Sequence, residues 1–363
     1  MVRPIRSILF FNANILTHVH IGSLISEIVR HNPKQLTVHF GGRLGQTIRE
    51  NHMDITMENN GRTQQVLGLI NKHSSKYVFQ HSEGLLFSTL FAQPALTVTG
   101  HAQYQHLRSK GLIAPNALFA GHSLGEYTAV STIGQVVPFE TLLSITFLRA
   151  LLMNSAVTRD SQGLSQFGMV AINRSRISSC DVDTATIRKI TSKVAAATEE
   201  LLEVVNYNIE TQQYVATVSL KALACLSAVT DHLASGKAPS PTHRNMLDDA
   251  CLDSMVADAA AKINDMTSSS PGVQLKLERG IATVPLEGVD VPFHSTYLLP
   301  RMPAFRQVLQ KHIPSVDSEL LVGKWVTNVT GKPFDISREG IREVYEKTKS
   351  HVLEDLLDEI ETD

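Results

Sequence analysis

The sequence is short of cysteine, of long apolar runs and of any charge imbalance, and each shortage excludes something. Three cysteines, Cys180, Cys225 and Cys251, are scattered through 363 residues with no Cys-x-x-Cys pair. An odd, widely spaced set points to buried thiols in a reducing compartment rather than to disulfides. No apolar stretch reaches the roughly 18 residues that a membrane span needs. Ser7-Ile8-Leu9-Phe10-Phe11 is too short for a signal-peptide core and lacks a convincing cleavage site after it. Lys and Arg number 33 against 35 Asp and Glu, with aromatic residues at 6%, so there is no basic stripe with interleaved rings to meet nucleic acid. Internal repeats and low-complexity tracts are absent too. The expectation is a soluble, cytoplasmic, globular protein with one large domain and a smaller one.

The most informative stretch present is Phe119-Ala120-Gly121-His122-Ser123-Leu124-Gly125-Glu126-Tyr127. Gly-x-Ser-x-Gly is the pattern of a nucleophile elbow, in which a strand ends, the chain turns sharply and a helix begins at the serine. Ala117 to Ala120 reads as a short buried strand and Glu126 to Val130 as the first turns of a helix. A Cβ at either glycine is expected to crowd the turn. Ser123 then sits at the positive end of the helix, where free N–H groups gather. The five-residue pattern also occurs in plain turns, so its context has to decide.

Before the elbow, Ile8 to Phe11 reads as a candidate buried strand, Ile21 to Val29 as a helix ending near Asn32-Pro33, and Leu36 to His39 as a strand. His18 and His20 share a face if extended, but no third ligand accompanies them, so a solvent-exposed pair is favoured over a metal site. Asn59-Asn60-Gly61 marks a hairpin turn. A helix opens at Gln93-Pro94 and runs to about Lys110, with Gly111 ending it. After the elbow, Phe139 to Ala156 places Leu142, Leu143, Ile145, Leu148, Leu151 and Leu152 at helical spacing. Arg149 lies among these leucines, either as a surface residue or as a buried guanidinium that needs an anion. From Phe167 the order becomes strand (168–172), helix (184–201), strand (202–207), strand (214–218) and helix (221–235), the β-α-β-β-α order of a ferredoxin-like unit. Val273 to Leu286 alternates like a strand returning to the large domain. Phe305 to Ile313 reads as a helix, Trp325 to Val329 as a late strand, and the last thirty residues as one charged helix.

Taken together, the elbow, the arginine helix and a distant Pro292-Phe293-His294-Ser295 resemble the acyltransferases of fatty-acid and polyketide synthesis. His39-Phe40-Gly41-Gly42, Phe91-Ala92-Gln93-Pro94-Ala95-Leu96, Ser109 to Ile113, Val205-Asn206-Tyr207-Asn208, Leu275 to Gly280 and Pro292 to Tyr297 are similar to the malonyl/palmitoyl transferase domain of the fungal fatty acid synthase β subunit. The resemblance runs from about Gly22 to about Lys349. It implies an α/β-hydrolase-like parallel-sheet core (1–165 and 285–363) with an inserted ferredoxin-like subdomain carrying a loop and helix insertion (166–284).

The resemblance also assigns roles. A thioester is opened onto Ser123, and the covalent acyl-serine divides one transfer into two steps. A serine hydroxyl needs a neighbour to take its proton, and His294 matches the family base. Arg149 matches the arginine that grips the free carboxylate of a malonyl group, since a planar fork meets a carboxylate through two hydrogen bonds. The backbone N–H of Leu124 is the implied oxyanion donor. Asn328 falls in the segment that holds the family histidine, or is a plain turn residue. His122 adjoins the substrate side of the motif and reads as packing, turned away from the elbow. The implied substrates are malonyl-CoA or another acyl-CoA and the phosphopantetheine thiol of acyl carrier protein, with no tightly bound cofactor, metal, nucleic acid or membrane, and with other fatty acid synthase domains as partners.

Three departures stand beside the match. The family's Gly-Gln-Gly-Ser segment has no counterpart, since Ile8 to Asn14 occupies its place and Gln46 lies in a different context. Losing an oxyanion donor costs about 10²–10³ in rate. Ala216-Thr217-Val218-Ser219 stands where the family usually has a glycine after its strand, and Asn154 where the arginine helix usually carries Gln. The first departure leaves an N-terminally truncated, inactive scaffold as the alternative, with a serine hydrolase third. A buried arginine clamp argues against the hydrolase.

Overall fold

The computed structural model describes residues 25, 28–39, 56–59, 62–65, 75–81, 83–133, 136–160, 163–177, 182–209, 211–235, 248–269, 273–313 and 315–362. The expectations for Ile8 to Phe11, His18, His20, Gln46, the Asn60-Gly61 turn and Cys180 lie outside them. In chain order the strands are β1 (Gln35–His39), β2 (Thr56–Asn59), β3 (Arg62–Gln65), β4 (Lys76–Gln80), β5 (Phe119–Ala120), β6 (Phe167–Asn173), β7 (Leu202–Ile209), β8 (Gln213–Ser219), β9 (Thr283–Pro285) and β10 (Trp325–Val326). The helices are α1 (Thr89–Ser109), α2 (Leu124–Thr132), α3 (Phe139–Ser155), α4 (Thr184–Thr198), α5 (Leu220–Ala234), α6 (Asp249–Ser269), α7 (Met302–His312), α8 (Arg338–Thr348) and α9 (His351–Thr362). The chain divides into two compact units, one of residues 1–80, 84–152 and 303–363, the other of residues 81–83 and 153–302.

The larger unit is organised around α3. Its Leu143, Phe147, Leu148, Leu151 and Leu152 are buried against Leu90 and Phe91 of α1, Phe79 of β4, and Ala304 and Val308 of α7. Phe79 and Phe91 meet edge to face at 5.2 Å, the arrangement that ring quadrupoles favour. β1 pairs with β4 antiparallel, and β2 with β3 antiparallel as far as Asn59 opposite Arg62. β5 and β10 pair in parallel, Phe119 opposite Trp325 and Ala120 opposite Val326. Three readings need correction here. The elbow strand is only two residues long and not buried, with Leu118 58% exposed; β10 is the one strand beside it among the described residues. α1 starts at Thr89, so Pro94 is its sixth residue rather than lying in its first turn; the packed pair Leu90 and Phe91 carries the helix back past the proline. The terminal segment is two helices, because Lys349 adopts a left-handed φ of 51° and stops α8.

The smaller unit is a four-stranded sheet in the order β7-β8-β6-β9, all neighbours antiparallel. With α4 and α5 as the two crossovers this is the ferredoxin-like β-α-β-β-α-β order. Val170, Ile172, Tyr214 and Ala216 present one sheet face to Ile187, Ile190 and Val194 of α4 and to Leu223, Leu226 and Val229 of α5. Side-chain caps fix where those helices begin: Asp183 accepts from Thr186 N–H at 2.7 Å and Ser219 from Ala222 N–H at 3.4 Å. The 273–286 segment does not return to the larger unit, since its Thr283–Pro285 portion closes this sheet against β6. The insertion contains α6, whose Leu252, Val256, Ala259, Ala260 and Ile263 bury against the same core. Cys225 lies in that core and burial pushes its thiol up to about 11, the behaviour of an inert packing residue. Among the described residues no helix is long and apolar enough to cross a membrane.

Candidate active site

The elbow is built by backbone first. Ser123 has φ 52° and ψ −105°, well outside the helical and extended regions, and Leu124 opens α2 directly after it. A residue held there costs of order 1–3 kcal/mol and persists only where its surroundings impose it. Gly121 is imposed by contact: a Cβ there would lie 2.1 Å from the carbonyl carbon of Gly125. Gly125 differs from expectation, because a Cβ there meets nothing within 4 Å. The close approach therefore needs one bare α-carbon, and Gly121 provides it.

Serine at a helix start ordinarily turns its hydroxyl back to accept from the first turn. Ser123 makes no such side-chain cap. Its Oγ instead accepts a hydrogen bond from Arg149 Nη2 at 3.2 Å. Arg149 is 8% exposed in the middle of α3, so it is not the surface arginine that was one of its two readings. Its Nη1 donates to Gln93 Oε1 at 2.5 Å, and Gln93 Nε2 donates to Thr89 Oγ1 at 2.8 Å. The guanidinium also lies 5.5 Å from the Tyr127 ring centre. Burial pushes Arg149 below and Tyr127 above their ordinary values, the tyrosine's shift being opposed by the neighbouring positive charge. Gln93 and Ser123 are neutral acceptors and Tyr127 a neutral ring, and among the described residues no carboxylate pairs with Arg149. A buried cation held only by neutral groups carries a desolvation cost that an anion beside it would offset.

Gln93, the partner of Arg149 in this cluster, is the residue that sequence reasoning passed over. It stood inside a matched motif, and a polar side chain directly before proline on a helix that is otherwise apolar there was the available signal. Asn328 lies in the turn after β10 with its side chain on the elbow, Oδ1 accepting from Ser123 N–H at 2.7 Å and Nδ2 donating to Gly121 C=O at 2.6 Å. Its own N–H donates to Glu126 Oε1 at 2.7 Å. Burial raises the Glu126 carboxyl above the ordinary glutamate value, opposed by the hydrogen bond it accepts from the Asn328 N–H. His122 is exposed rather than packed. Ser123, Leu124, Arg149 and Asn328 thus come together in the larger unit.

His294 belongs to the smaller unit, on an exposed turn with a left-handed φ of 62°. That turn is tied on both sides. Before it, Arg159 meets Asp290 through both guanidinium nitrogens, and Ser165 Oγ donates to Asp290 C=O at 2.6 Å. After it, Thr296 N–H and Oγ1 donate to the two oxygens of Glu203 at 2.8 and 2.6 Å. Within that unit His294 and Thr296 line one end of a cleft of about 500 Å³ that runs along Arg188, Thr191 and Tyr207.

A strained serine that opens a helix, with a buried guanidinium at its hydroxyl, suits enzymes that park an acyl group on oxygen. Residues 18–352 match the acyl transferase domain family, and the chain belongs to it. Its relatives are fungal fatty acid synthases. It is 38% identical over 298 residues to fatty acid synthase subunit beta of Saccharomyces cerevisiae, covering 82% of this chain and 14% of that protein. It is 39% identical over 345 residues to fatty acid synthase subunit beta of Schizosaccharomyces pombe, covering 93% of this chain and 16% of that one. The chain thus spans a small share of the length of the curated relatives it matches. Among solved structures it is similar to the malonyl CoA-acyl carrier protein transacylase from Clostridium perfringens, at 22% identity and a TM-score of 0.44, covering 73% of this chain and 62% of that one.

Proposed function

We propose that this domain moves malonyl groups, and also long acyl groups such as palmitoyl, between CoA and the phosphopantetheine thiol of an acyl carrier protein. Ser123 Oγ attacks the thioester carbonyl while His294 takes its proton; the base is assigned from the likeness of Pro292-Phe293-His294-Ser295 to the family segment. The tetrahedral oxyanion faces the Leu124 N–H at the positive end of α2, where developing negative charge is stabilised. Collapse expels the CoA thiolate, which takes the proton from the imidazolium and leaves malonyl-Ser123. The carrier thiol then gives its proton to His294 and attacks the ester, and Ser123 leaves with that proton restored.

The observation that carries the malonyl assignment is Arg149, buried, held by neutral acceptors and 3.2 Å from Ser123 Oγ. The malonyl carboxylate sits two carbon atoms from the atom that bonds to Oγ, so an anion receptor adjoining the nucleophile fits it. A hydrolase of neutral esters has no use for such a cation. The similarity to fatty acid synthase β subunits, of which this chain spans 14–16%, supports a setting among further synthase domains in the cytoplasm.

The test is to mix the purified protein with labelled malonyl-CoA and locate the label by peptide mass spectrometry. A malonyl adduct on Ser123 that an added carrier thiol discharges is the expected result. Release of CoA and free malonate with no adduct overturns transfer in favour of hydrolysis, and neither product overturns it in favour of an inactive scaffold.

A further inference from the structure

The geometry at the elbow assigns Asn328 and Glu126 a role of their own: we propose that they form a reciprocal lock that positions Ser123 and touches no substrate. The inference rests on Ser123 being the nucleophile of the proposed transfer.

The argument starts from the parallel pair. Ladder bonding between β5 and β10 stops at Ala120 and Val326, because the backbone turns out of strand geometry to make the elbow. The next carbonyl, Gly121, and the N–H of Ser123 then need partners from elsewhere. The Asn328 amide answers both, accepting from Ser123 N–H at 2.7 Å and donating to Gly121 C=O at 2.6 Å, across 205 and 207 residues of sequence. The side chain replaces a stretch of strand, one bond on either side of His122. Only a carboxamide of this length accepts and donates at once, since aspartate has no donor and leucine has neither.

Asn328 would hold nothing if its own turn were loose. Its N–H is bound by Glu126 Oε1 at 2.7 Å, and Glu126 lies in the first turn of α2, on the far side of the serine. The chain before Ser123, Ser123 itself and the helix after it are therefore joined through one turn into a closed ring. Such a ring offsets the strain at φ 52° and ψ −105°. It also removes the Ser123 N–H from the set of donors that could face an oxyanion, leaving that task to the helix beyond it.

The experiment compares Asn328→Ala, the near-isosteric Asn328→Asp, Glu126→Ala and the double variant Asn328→Ala/Glu126→Ala. Two readouts are used: hydrogen exchange of peptides spanning 121–126, which needs no activity, and the rate of malonyl adduct formation on Ser123 across malonyl-CoA concentrations. Asn328→Ala is expected to speed exchange of the elbow amides by roughly tenfold and to lower the limiting adduct rate by about 10²-fold, the cost of a misplaced reacting atom. Half-saturation by malonyl-CoA should move little, because Arg149 is untouched. Asn328→Asp should do the same, since it keeps one bond and repels the Gly121 carbonyl. Glu126→Ala should match Asn328→Ala, and the double variant should be no worse than either. Exchange and limiting rate at wild-type values in Asn328→Asp, or additive losses in the double variant, overturn the lock. A rise in half-saturation with an unchanged limiting rate overturns it in favour of substrate contact. Absence of any adduct in the wild-type protein sinks the transfer reading alone, while the exchange data still decide whether the elbow is held this way.

Discussion

Replacing Arg149 by alanine is the sharpest perturbation of the proposed chemistry. A guanidinium that meets a carboxylate through two charge-assisted hydrogen bonds gains about 1.5–3 kcal/mol from each. Losing both removes about 3–6 kcal/mol from malonyl recognition, or roughly 10²–10⁴ in kcat/KM at about 1.4 kcal/mol per decade. Two effects on the fold oppose each other. Gln93 Oε1 is buried and loses the Arg149 hydrogen bond, at up to about 3 kcal/mol, while removal of a cation paired only with neutral groups relieves its desolvation. The stability change is therefore expected to be much smaller than the loss in malonyl transfer. An acyl-CoA without the second carboxylate gains nothing from the guanidinium, so palmitoyl transfer should be kept or rise. The assay is transfer from labelled malonyl-CoA and from palmitoyl-CoA to a carrier thiol, with an unfolding curve on the same preparation. Malonyl kcat/KM within a few-fold of wild type in a folded variant would refute the reasoning.

Gln93→Leu removes the acceptor that aims Arg149; malonyl KM should rise about tenfold or more with palmitoyl kinetics little changed, as initial rates on both substrates would show. Gly121→Ala should abolish the elbow and fail to give soluble folded protein, whereas Gly125→Ala should fold with stability unchanged or about 0.5–1 kcal/mol higher, because only the first Cβ has a clash. Denaturation midpoints separate the two. The Glu126 carboxyl is raised in the folded state, so its contribution to stability is fully present below the unfolded glutamate value of about 4.3 and is lost as pH rises through the folded value. Glu126→Gln, which stays neutral, should therefore gain stability relative to wild type as the pH is taken from 4 toward 8 in chemical denaturation; a gap that stays constant over that range would sink the assignment.

The ferredoxin-like unit was legible because its strands and helices change period where they change type, and Val170, Ile172, Ile187 and Val194 each fall on the buried face that the period demands. The β2–β3 pairing and the Gly111 stop were legible from local turn residues, as Gly111 has φ 67°. α6 was not read out because its buried face is diluted with alanine at 259 and 260, which blurs the 3.6-residue rhythm of Leu252, Val256 and Ile263. The extent of α1 was misjudged because proline usually marks a first turn, and tertiary packing of Phe91 overrode that preference. At the candidate site, Ser123 and Arg149 could be singled out from local pattern and family likeness. The partners of each could not, because the Gln93 and Asn328 contacts span 56 and 205 residues and leave no trace in spacing.

The uncapped start of α2 has one more implication. A serine in that position would normally lend its oxygen to the helix, worth about 1 kcal/mol, yet here the oxygen is turned toward the guanidinium. In the proposed transfer, reactivity and folding compete for a single atom, and the fold leaves it uncommitted to the helix. A protein disarmed at residue 123 need not be a weakened one, so its melting behaviour is a poor guide to whether the armed form is intact.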